Sequence, residues 1–563
     1  MRNLIKNNYH RHHKKRKAYD VKTIKDLIIL YSKLGVSKDE TSWNSFHIKN
    51  FFEKKLYIHN AKTLPHSPYF TDKLEFKILP RIVSERIYRN NNRNIVIPDN
   101  MDYVVRLTKE AYDVLPIKPG IDCKFLGKSV FMPPYKPQTV RGEDPLVSKF
   151  RQQIYKTDVV YGKFIEDNVP TRCIVNPGWA SQVKEFQIFC DHHKEKYNAE
   201  EILKIVSKHL YKLKLPMVRE IIPEDCFHVP VNPDSAVGFI PECFFGKGSK
   251  QKQLDKVLRF PAYSLLKKAK SELMSDRTIW TVGGRARAQK ESFNEDLRSR
   301  FLIVPDAISK IVGLAGVSEF YKGIIEINKH YSGNEILTGI DFMNSKFKYF
   351  ESELRKFDHV IECDLKRFDQ HVGPEVLKAA WAILRPCYPD TKEMDNLFDY
   401  YASGFINKNI VIPGGLLYRV RKSIATGSPF TTVIGSIVNW INWTLSLSEM
   451  GIDGKFYKLM VYGDDTLVCF NHHFLYNEDY IKSIVAEVVG HVVDPIHFRR
   501  VKCNCYSEKR PTFLKTFSFY GLPGRAAEDM LEKAFYPEVK VPSLYEKIKR
   551  VKQLYFNPCF NFD

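Results

Sequence analysis

The stretch "KLMVYGDDTLVCF" (residues 458–470) runs one short apolar segment into a Gly-Asp-Asp turn and a second out of it. Gly and Asp are what a tight β-turn prefers, so the stretch predicts a hairpin. Its flanks are those of interior strands, and two adjacent carboxylates at such a tip need partners elsewhere in the chain. Like charges packed closely raise one another's pKa unless a cation offsets them. A partner lies upstream in "ECDLKRFDQHV" (residues 362–372), which places Asp364 near the end of an apolar strand and Asp369 five residues on, where a helix begins. Alone, such an acid is most simply a helix cap. If the Asp364 strand lies beside the hairpin, Asp364, Asp464 and Asp465 converge at one sheet edge. That is a set of hard oxygen ligands suited to two divalent ions, Mg2+ or Mn2+. Two such ions about 3.5–4 Å apart activate an attacking hydroxyl and stabilise a leaving oxygen, which predicts nucleotidyl transfer.

Working outward, residues 359–365 read as a buried strand and residues 374–388 as a helix. Residues 409–420 read as a hairpin turning at Pro413-Gly414-Gly415, and residues 431–450 as a long helix despite their β-branched content, because they exceed any ordinary strand. Residues 477–491 are helical and residues 512–521 a strand pair. This order predicts an α+β fold, a small antiparallel sheet backed by helices. The first half is less legible, and residues 1–230 yield no chemistry.

Lys and Arg outnumber Asp and Glu by 87 to 65, a formal charge of +22 that points to a polyanionic partner, nucleic acid above all. The chain of 563 residues has room for three or four subdomains at about 100–200 residues each. The first twenty residues hold seven Lys or Arg and three His, a solvated basic arm without the apolar core of a secretory signal. No apolar run approaches the roughly 20 residues of a spanning helix, so a soluble intracellular protein is expected. The 11 Cys are scattered, which predicts buried free thiols rather than a disulfide framework.

Two further stretches carry chemistry. "TGSPFT" (residues 426–431) opens the long helix; Thr426, Gly427 and Ser428 are capping chemistry and equally a place where backbone meets phosphate. Thr431 and Asn439, eight residues apart near one helix face, are candidates to bond a ribose hydroxyl or Asp369. "GGRARAQKESFNEDLRSRFLIV" (residues 283–304) carries Arg285, Arg287, Lys290, Arg298 and Arg300, which suit two strands presenting guanidiniums to a triphosphate.

These motifs, in this order and spacing, resemble those of viral RNA-dependent RNA polymerases, most closely of the small double-stranded RNA viruses, the partitivirus and picobirnavirus group. The similarity runs from about residue 232 to 538. It implies a closed right hand of fingers, palm and thumb. The expected division is a basic N-terminal extension (1–60), fingers with fingertips (61–338), palm (339–402), a fingers insertion (403–424), palm again (425–520) and a short thumb (521–563). "DLKRFD" resembles the first palm motif, which implies that Asp364 binds metal and Asp369 recognises the ribose 2'-hydroxyl. "TGSPFTTVIGSIVN" resembles the second, contacting template and ribose, with Thr426 where serine is usual and Gly435 where many relatives have asparagine. "YGDD" resembles the third, making Asp464 and Asp465 metal ligands. The arginines, Arg300 above all, would line the nucleotide channel. Ser235 and Gly238 of "DSAVGF" would guide template, Lys515 of "FLKT" would grip product, and Lys502 would protonate pyrophosphate. "FYPE" (residues 535–538), after a Gly-Leu-Pro-Gly-Arg run, favours the double-stranded RNA group. Partners implied are template and product RNA, nucleoside triphosphates and a viral capsid protein, with no membrane segment, in the virion interior or host cytoplasm.

Two rivals stand beside this reading. A reverse transcriptase also fits Tyr-x-Asp-Asp, but that class places a bulky aromatic near where Asp369 falls. A non-catalytic RNA-binding or packaging protein fits the charge, but gives no reason to keep three like charges together.

Overall fold

The computed structural model describes residues 104–105, 116–129, 139–142, 145–168, 172–239, 241–242, 250–276, 278–290, 299–329, 333–340, 347–471, 477–501, 510–519, 522–538 and 546. Its sheets join strands far apart in the chain. With strands numbered in chain order, a six-stranded sheet runs β1 (Val104–Val105), β2 (Cys123–Ser129), β10 (Leu416–Val420), β9 (Lys408–Val411), β5 (Ile279–Arg285), β7 (Arg300–Val304). A three-stranded sheet holds β3 (Val140–Arg141), β4 (Arg172–Val175) and β6 (Arg287–Lys290). The sheet that carries the acidic motifs runs β11 (Tyr457–Tyr462), β12 (Asp465–Phe470), β8 (His359–Leu365), β13 (Val493–Arg500), with every neighbour antiparallel. A last small sheet holds β14 (Thr512–Phe513), β15 (Thr516–Phe519) and β16 (Leu522–Gly524).

Both predicted hairpins form, and the glycines at the tip of the first, Gly414 and Gly415, take φ of 88° and 82°. Strand β13 is an element that the sequence pattern did not suggest. It contains Pro495, which cannot donate to a ladder, and its pairing to β8 shifts register between Val493 and Ile496. Proline is tolerated there because β13 is an edge strand.

Helices α1 (Trp179–Cys190), α2 (Ala307–Asn328), α3 (Pro374–Leu384), α4 (Lys392–Ile406), α5 (Thr431–Glu449), α6 (Glu478–Val489) and α7 (Ala527–Phe535) complete the parts that matter for the site. Every residue of α5 from 433 to 447 is buried. A helix apolar nearly all round belongs in the middle of a domain, and its packing overrides the weak propensity of its Ile, Val and Thr residues. Among the described residues no helix is long and apolar enough to cross a membrane.

Cys123 at the start of β2 and Cys190 at the end of α1 form a disulfide with Cα atoms 4.7 Å apart, where free thiols were expected. Cys173, Cys226, Cys363, Cys387 and Cys469 are free and buried, as expected.

Lys408, fully buried, donates from Nζ to the carbonyl oxygens of Phe405 (2.7 Å), Ser423 (2.8 Å) and Ile406 (3.4 Å). Its three donors are thus all taken, and they tie the end of α4 to the loop that precedes α5. Replacing it with Met would strand three buried carbonyls at about 1–3 kcal/mol each. Lys408→Met should therefore lower stability by about 3 kcal/mol or more, read from urea unfolding monitored by tryptophan fluorescence.

Candidate active site

Tyr462 pairs with Asp465, so Gly463 and Asp464 form a two-residue turn, with Gly463 at φ 62°. Asp465 is therefore the first residue of β12, not part of the tip as the sequence suggested. Thr466 pairs with Cys363 on β8, and the next step of that register sets Asp465 across from Asp364. Asp464 acts electrostatically on Asp364, and both act on Asp465, so the three carboxylates stand near one another.

The turn is held from behind by α5. The Gly463 amide donates to Ser436 Oγ (2.8 Å), and its carbonyl accepts from Asn439 Nδ2 (2.8 Å). Asn439 also donates to Thr466 Oγ1 (2.7 Å), and Ser436 donates to the Thr432 carbonyl (2.7 Å). Asn439 is fully buried; its Nδ2 clamps the turn, while its Oδ1 has no hydrogen-bond partner. The Thr431 hydroxyl lies within hydrogen-bond distance of the carbonyls of Ala425 (2.5 Å) and Ser428 (2.7 Å), so its one proton is shared within its own loop. Ser436 was missed by sequence reasoning; its signal was a polar side chain one helical turn before Asn439 in an otherwise apolar helix.

Asp369 lies in a 3-10 turn, Phe368–Gln370, entered through Arg367 at φ 52°. A non-glycine residue in this region is strained and needs support. Glu185 supplies it, accepting from Gln370 Nε2 (2.9 Å) and facing Arg367 Nη2 (3.5 Å). Nothing in the sequence linked Glu185 to this motif, 185 residues away from Gln370.

The electrostatics are those of repelling acids. Burial, then Asp464 and Asp364, push the Asp465 carboxyl up to about 7. Burial, then Asp464 and Glu185, push Asp369 to about 7. Asp364 is raised by burial and Asp464 and drawn back by Lys515, Arg287 and Lys366. Among the described residues no group of three or more His, Cys, Asp or Glu is gathered into a finished metal cage.

Basic groups stand around these acids. Arg285 and Arg300 are cross-strand partners on β5 and β7, whereas Arg287, expected beside Arg285 on one strand, begins β6 in the three-stranded sheet. Both face Glu538, Arg285 Nε at 2.7 Å and Arg300 Nη2 at 3.5 Å. Arg287 sits on β6 and acts on Asp364. Lys515 occupies the two-residue turn between β14 and β15, with φ 52° at Leu514 and 60° at Lys515, and its Nζ lies 3.3 Å from Asp529. The side chain of Lys290, and Arg298 and Lys502 altogether, lie outside the described residues.

Thr426 and Gly427 approach backbone rather than open space. The Ile303 amide donates to Thr426 Oγ1 (2.9 Å) and the Gly427 amide to the Ile303 carbonyl (2.8 Å). A Cβ on Gly427 would stand 2.6 Å from that carbonyl oxygen. Ser428 makes a local turn, its Oγ accepting from the Phe430 amide (3.2 Å) just ahead of the helix. The same holds upstream: Ser235 bonds the Asn232 carbonyl (2.8 Å), and Gly238, at φ +84°, would drive a Cβ to 2.5 Å from Asp306 Cα. Asp306 caps α2 by accepting from the amides of Ile308 and Ser309, both 2.9 Å, so that glycine is required by packing.

Residues 291–502 match the family described as viral RNA-dependent RNA polymerase. The matched segment contains the Asp364 strand, the Asp369 turn, α5 and the Asp464 hairpin. Three curated relatives are genome polyproteins. That of bovine enteric calicivirus Newbury agent-1 is 26% identical over 148 residues, 25% of this chain and 6% of the relative. That of simian hepatitis A virus genotype V (isolate AGM-27) is 28% identical over 163 residues, covering 27% and 7%. That of human hepatitis A virus genotype IB (isolate HM175) is 27% identical over 145 residues, covering 24% and 6%. The alignments thus span only a small fraction of the length of these relatives. The matches support RNA-directed RNA polymerase activity for the domain over residues 291–502.

Within the matched segment, the clamp on Gly463 separates two roles for Asn439. Asn439→Ala should lower kcat roughly 10- to 100-fold, the usual cost of losing a group that orients a catalytic one, with little change in KM. It should leave the preference for ribonucleotides over deoxyribonucleotides unchanged, which steady-state incorporation of paired ribo- and deoxyribonucleotides measures.

Proposed function

We propose that the protein is a template-directed RNA polymerase in which an RNA 3'-hydroxyl attacks the α-phosphate of a nucleoside triphosphate and releases pyrophosphate. The observation that carries this is the register of β8 against β12, which sets Asp364 across from Asp465 beside the clamped Asp464 turn. Two divalent ions, Mg2+ or Mn2+, would be held by Asp364, Asp464 and Asp465 and would supply Lewis-acid activation. The chain's own residues do the rest. Ser436 and Asn439 fix the turn, Glu185 braces the Asp369 turn, and Asp369 accepts from the ribose 2'-hydroxyl. Arg285, Arg287 and Arg300 face the triphosphate, and Lys515 stands on the product side.

In this reading the β11–β12–β8–β13 sheet with α3, α5 and α6 is the palm, the two sheets holding β5, β6 and β7 belong to the fingers, and α7 with the residues after it is the thumb. Arg285 and Arg300 reach Glu538, while Arg141 Nη2 donates to the carbonyls of Pro537 (2.7 Å) and Glu538 (2.9 Å) and Arg172 pairs with Glu532 (2.6 Å). Fingers and thumb would therefore touch directly, closing the hand. The narrower attribution to a double-stranded RNA virus, with a capsid protein as partner and synthesis in the virion interior or host cytoplasm, rests on the Gly-Leu-Pro-Gly-Arg and Phe-Tyr-Pro-Glu runs.

Asp464→Ala should leave folding and RNA binding nearly intact and abolish nucleotide incorporation, tested with single-stranded RNA, four ribonucleotides and Mg2+ or Mn2+ without primer. Near-normal synthesis by that variant would refute the site, and exclusive use of deoxynucleotides would favour a reverse transcriptase.

The raised carboxyls give a pH signature. A folded-state pKa of about 7 for Asp369 and Asp465 means that the folded chain favours their protonated forms. Without a divalent ion, stability should fall as pH rises from about 4, the unfolded value, through about 7, and stay reduced above it. A cation binds the ionised forms, so the rise in Tm on adding Mg2+ to chelator-treated protein should be larger at about pH 8 than at about pH 6.

A further inference from the structure

Strand β8 carries two acids on one face. Side chains alternate along a strand, so Val360, Glu362 and Asp364 point to one side of the sheet, while Ile361, Cys363 and Leu365 pack into the main core on the other. Val360 belongs to a smaller cluster with Leu467, Cys469 and Phe513, so the start of β14 lies against this face. Phe513 anchors that contact, its ring stacked on Phe350 with centroids 5.5 Å apart.

Glu362 makes the polar half of the same contact. Its Oε1 accepts from the Thr512 hydroxyl and its Oε2 from the Thr512 amide (3.3 Å), and Arg499 Nε of β13 stands 3.4 Å from Oε2. Thr512 opens β14 and pairs with Phe517, and Phe513 pairs with Thr516, which leaves Leu514 and Lys515 as the turn. Both turn residues take positive φ, and two such non-glycine residues in a row persist only where their neighbours fix them. Glu362 fixes the base of the turn. At its tip Lys515 Nζ lies 3.3 Å from Asp529, which Lys533 Nζ also meets at 2.8 Å. An ammonium has three donors, and the Lys515 side chain is 68% exposed, so it can reach a second anion while touching Asp529. Its charge already draws Asp364 and Asp465 toward their ionised forms.

A carboxylate is a costly tether at this place, because Glu362 adds to the repulsion on Asp465. An apolar residue could pack against the same face without that cost. What the carboxylate adds is direction: two acceptor oxygens gripping the amide and the hydroxyl of one residue set the orientation of the turn as well as its distance.

We propose that Glu362 is a positioning residue for RNA synthesis: by holding Thr512 it orients the Leu514–Lys515 turn so that Lys515 meets a phosphate of the product strand beside Asp364 and Asp465. This role rests on the polymerase reading of the acidic site.

The test uses the full chain and a primed RNA template, with the Kd of the RNA measured at several salt concentrations and single-nucleotide extension giving kcat and KM. Glu362→Ala should raise the Kd of primed RNA roughly 10-fold, a usual cost of losing an orienting partner, and leave KM for the nucleoside triphosphate within about 2-fold. It should also lower the slope of log Kd against log salt by about 0.7–0.9, the value of one phosphate contact, as Lys515→Met should. In the Lys515→Met background, Glu362→Ala should add less than about 2-fold, because its effect passes through that lysine. Glu362→Gln, which can still accept from the Thr512 amide and donate to its hydroxyl, should restore binding to within about 3-fold of the unaltered chain. Should Glu362→Ala lose its thermal transition, Thr512→Val carries the same cycle. Equal penalties with and without Lys515, an unchanged salt slope, or a Glu362→Gln variant as weak as Glu362→Ala would each overturn the proposal. Asp464→Ala reports separately on the polymerase reading: extension by that variant removes the reading, whereas its silence alongside an additive cycle removes only the role of Glu362.

Discussion

Three carboxylates are brought together by the antiparallel pairing of β8 with β12, and their mutual repulsion is the constraint that the rest of the site is built to withstand. A free hairpin tip with two acids would simply swing them into water. Here the Gly463 peptide is gripped at both its amide and its carbonyl by one face of α5, so the turn cannot relax away from Asp364. Burying α5 throughout makes that grip rigid, because a helix with no solvent face has no direction in which to yield.

The same logic runs through the buried polar groups. Glu335, fully enclosed and raised by burial, accepts from the Leu459 amide (3.0 Å) and Trp440 Nε1 (2.7 Å) and lies 3.4 Å from Lys212. It therefore joins the strand leading into the hairpin to the helix behind it. Lys408 does the equivalent for the loop ahead of α5, and Glu185 for the Asp369 turn. Each contributes specificity of position more than stability, since a satisfied buried charge gains little over apolar packing while a broken one costs several kcal/mol.

Legibility in the sequence followed the range of the interactions. The strand at 359–365, both hairpins, α5 and α6 were readable because alternation, turn residues and length are local signals. β13 was not, because Pro495 interrupts it and leaves only the four residues Ile496 to Arg499 in alternation. The six-stranded sheet was hidden for another reason: β2 meets β10 across almost three hundred residues, and nothing local announces it. In the site, Asp364, Asp464 and Asp465 were legible as chemistry. Asn439 and Thr431 were assigned outward because a polar residue on a helix suggests a ligand, whereas the Asn439 amide nitrogen holds the Gly463 turn and the Thr431 hydroxyl bonds within its own loop. Glu185, Ser436 and Lys408 act only through tertiary contact and leave no trace in local pattern.

One last consequence belongs to Glu538. If the hand is shut where this carboxylate meets Arg285 and Arg300, a charged latch lies beside an apolar seam in which Phe535 and Tyr536 pack against Ile165, Ile174 and Ala286. Such a latch answers to the medium: counterions crowd it as ionic strength rises, and the Debye length shrinks from about 10 Å at 0.1 M to about 3 Å at 1 M. Any polyanion threading past would meet the same guanidiniums that hold the latch, so the passage of RNA or triphosphate and the closure of the ring draw on a common pair of side chains.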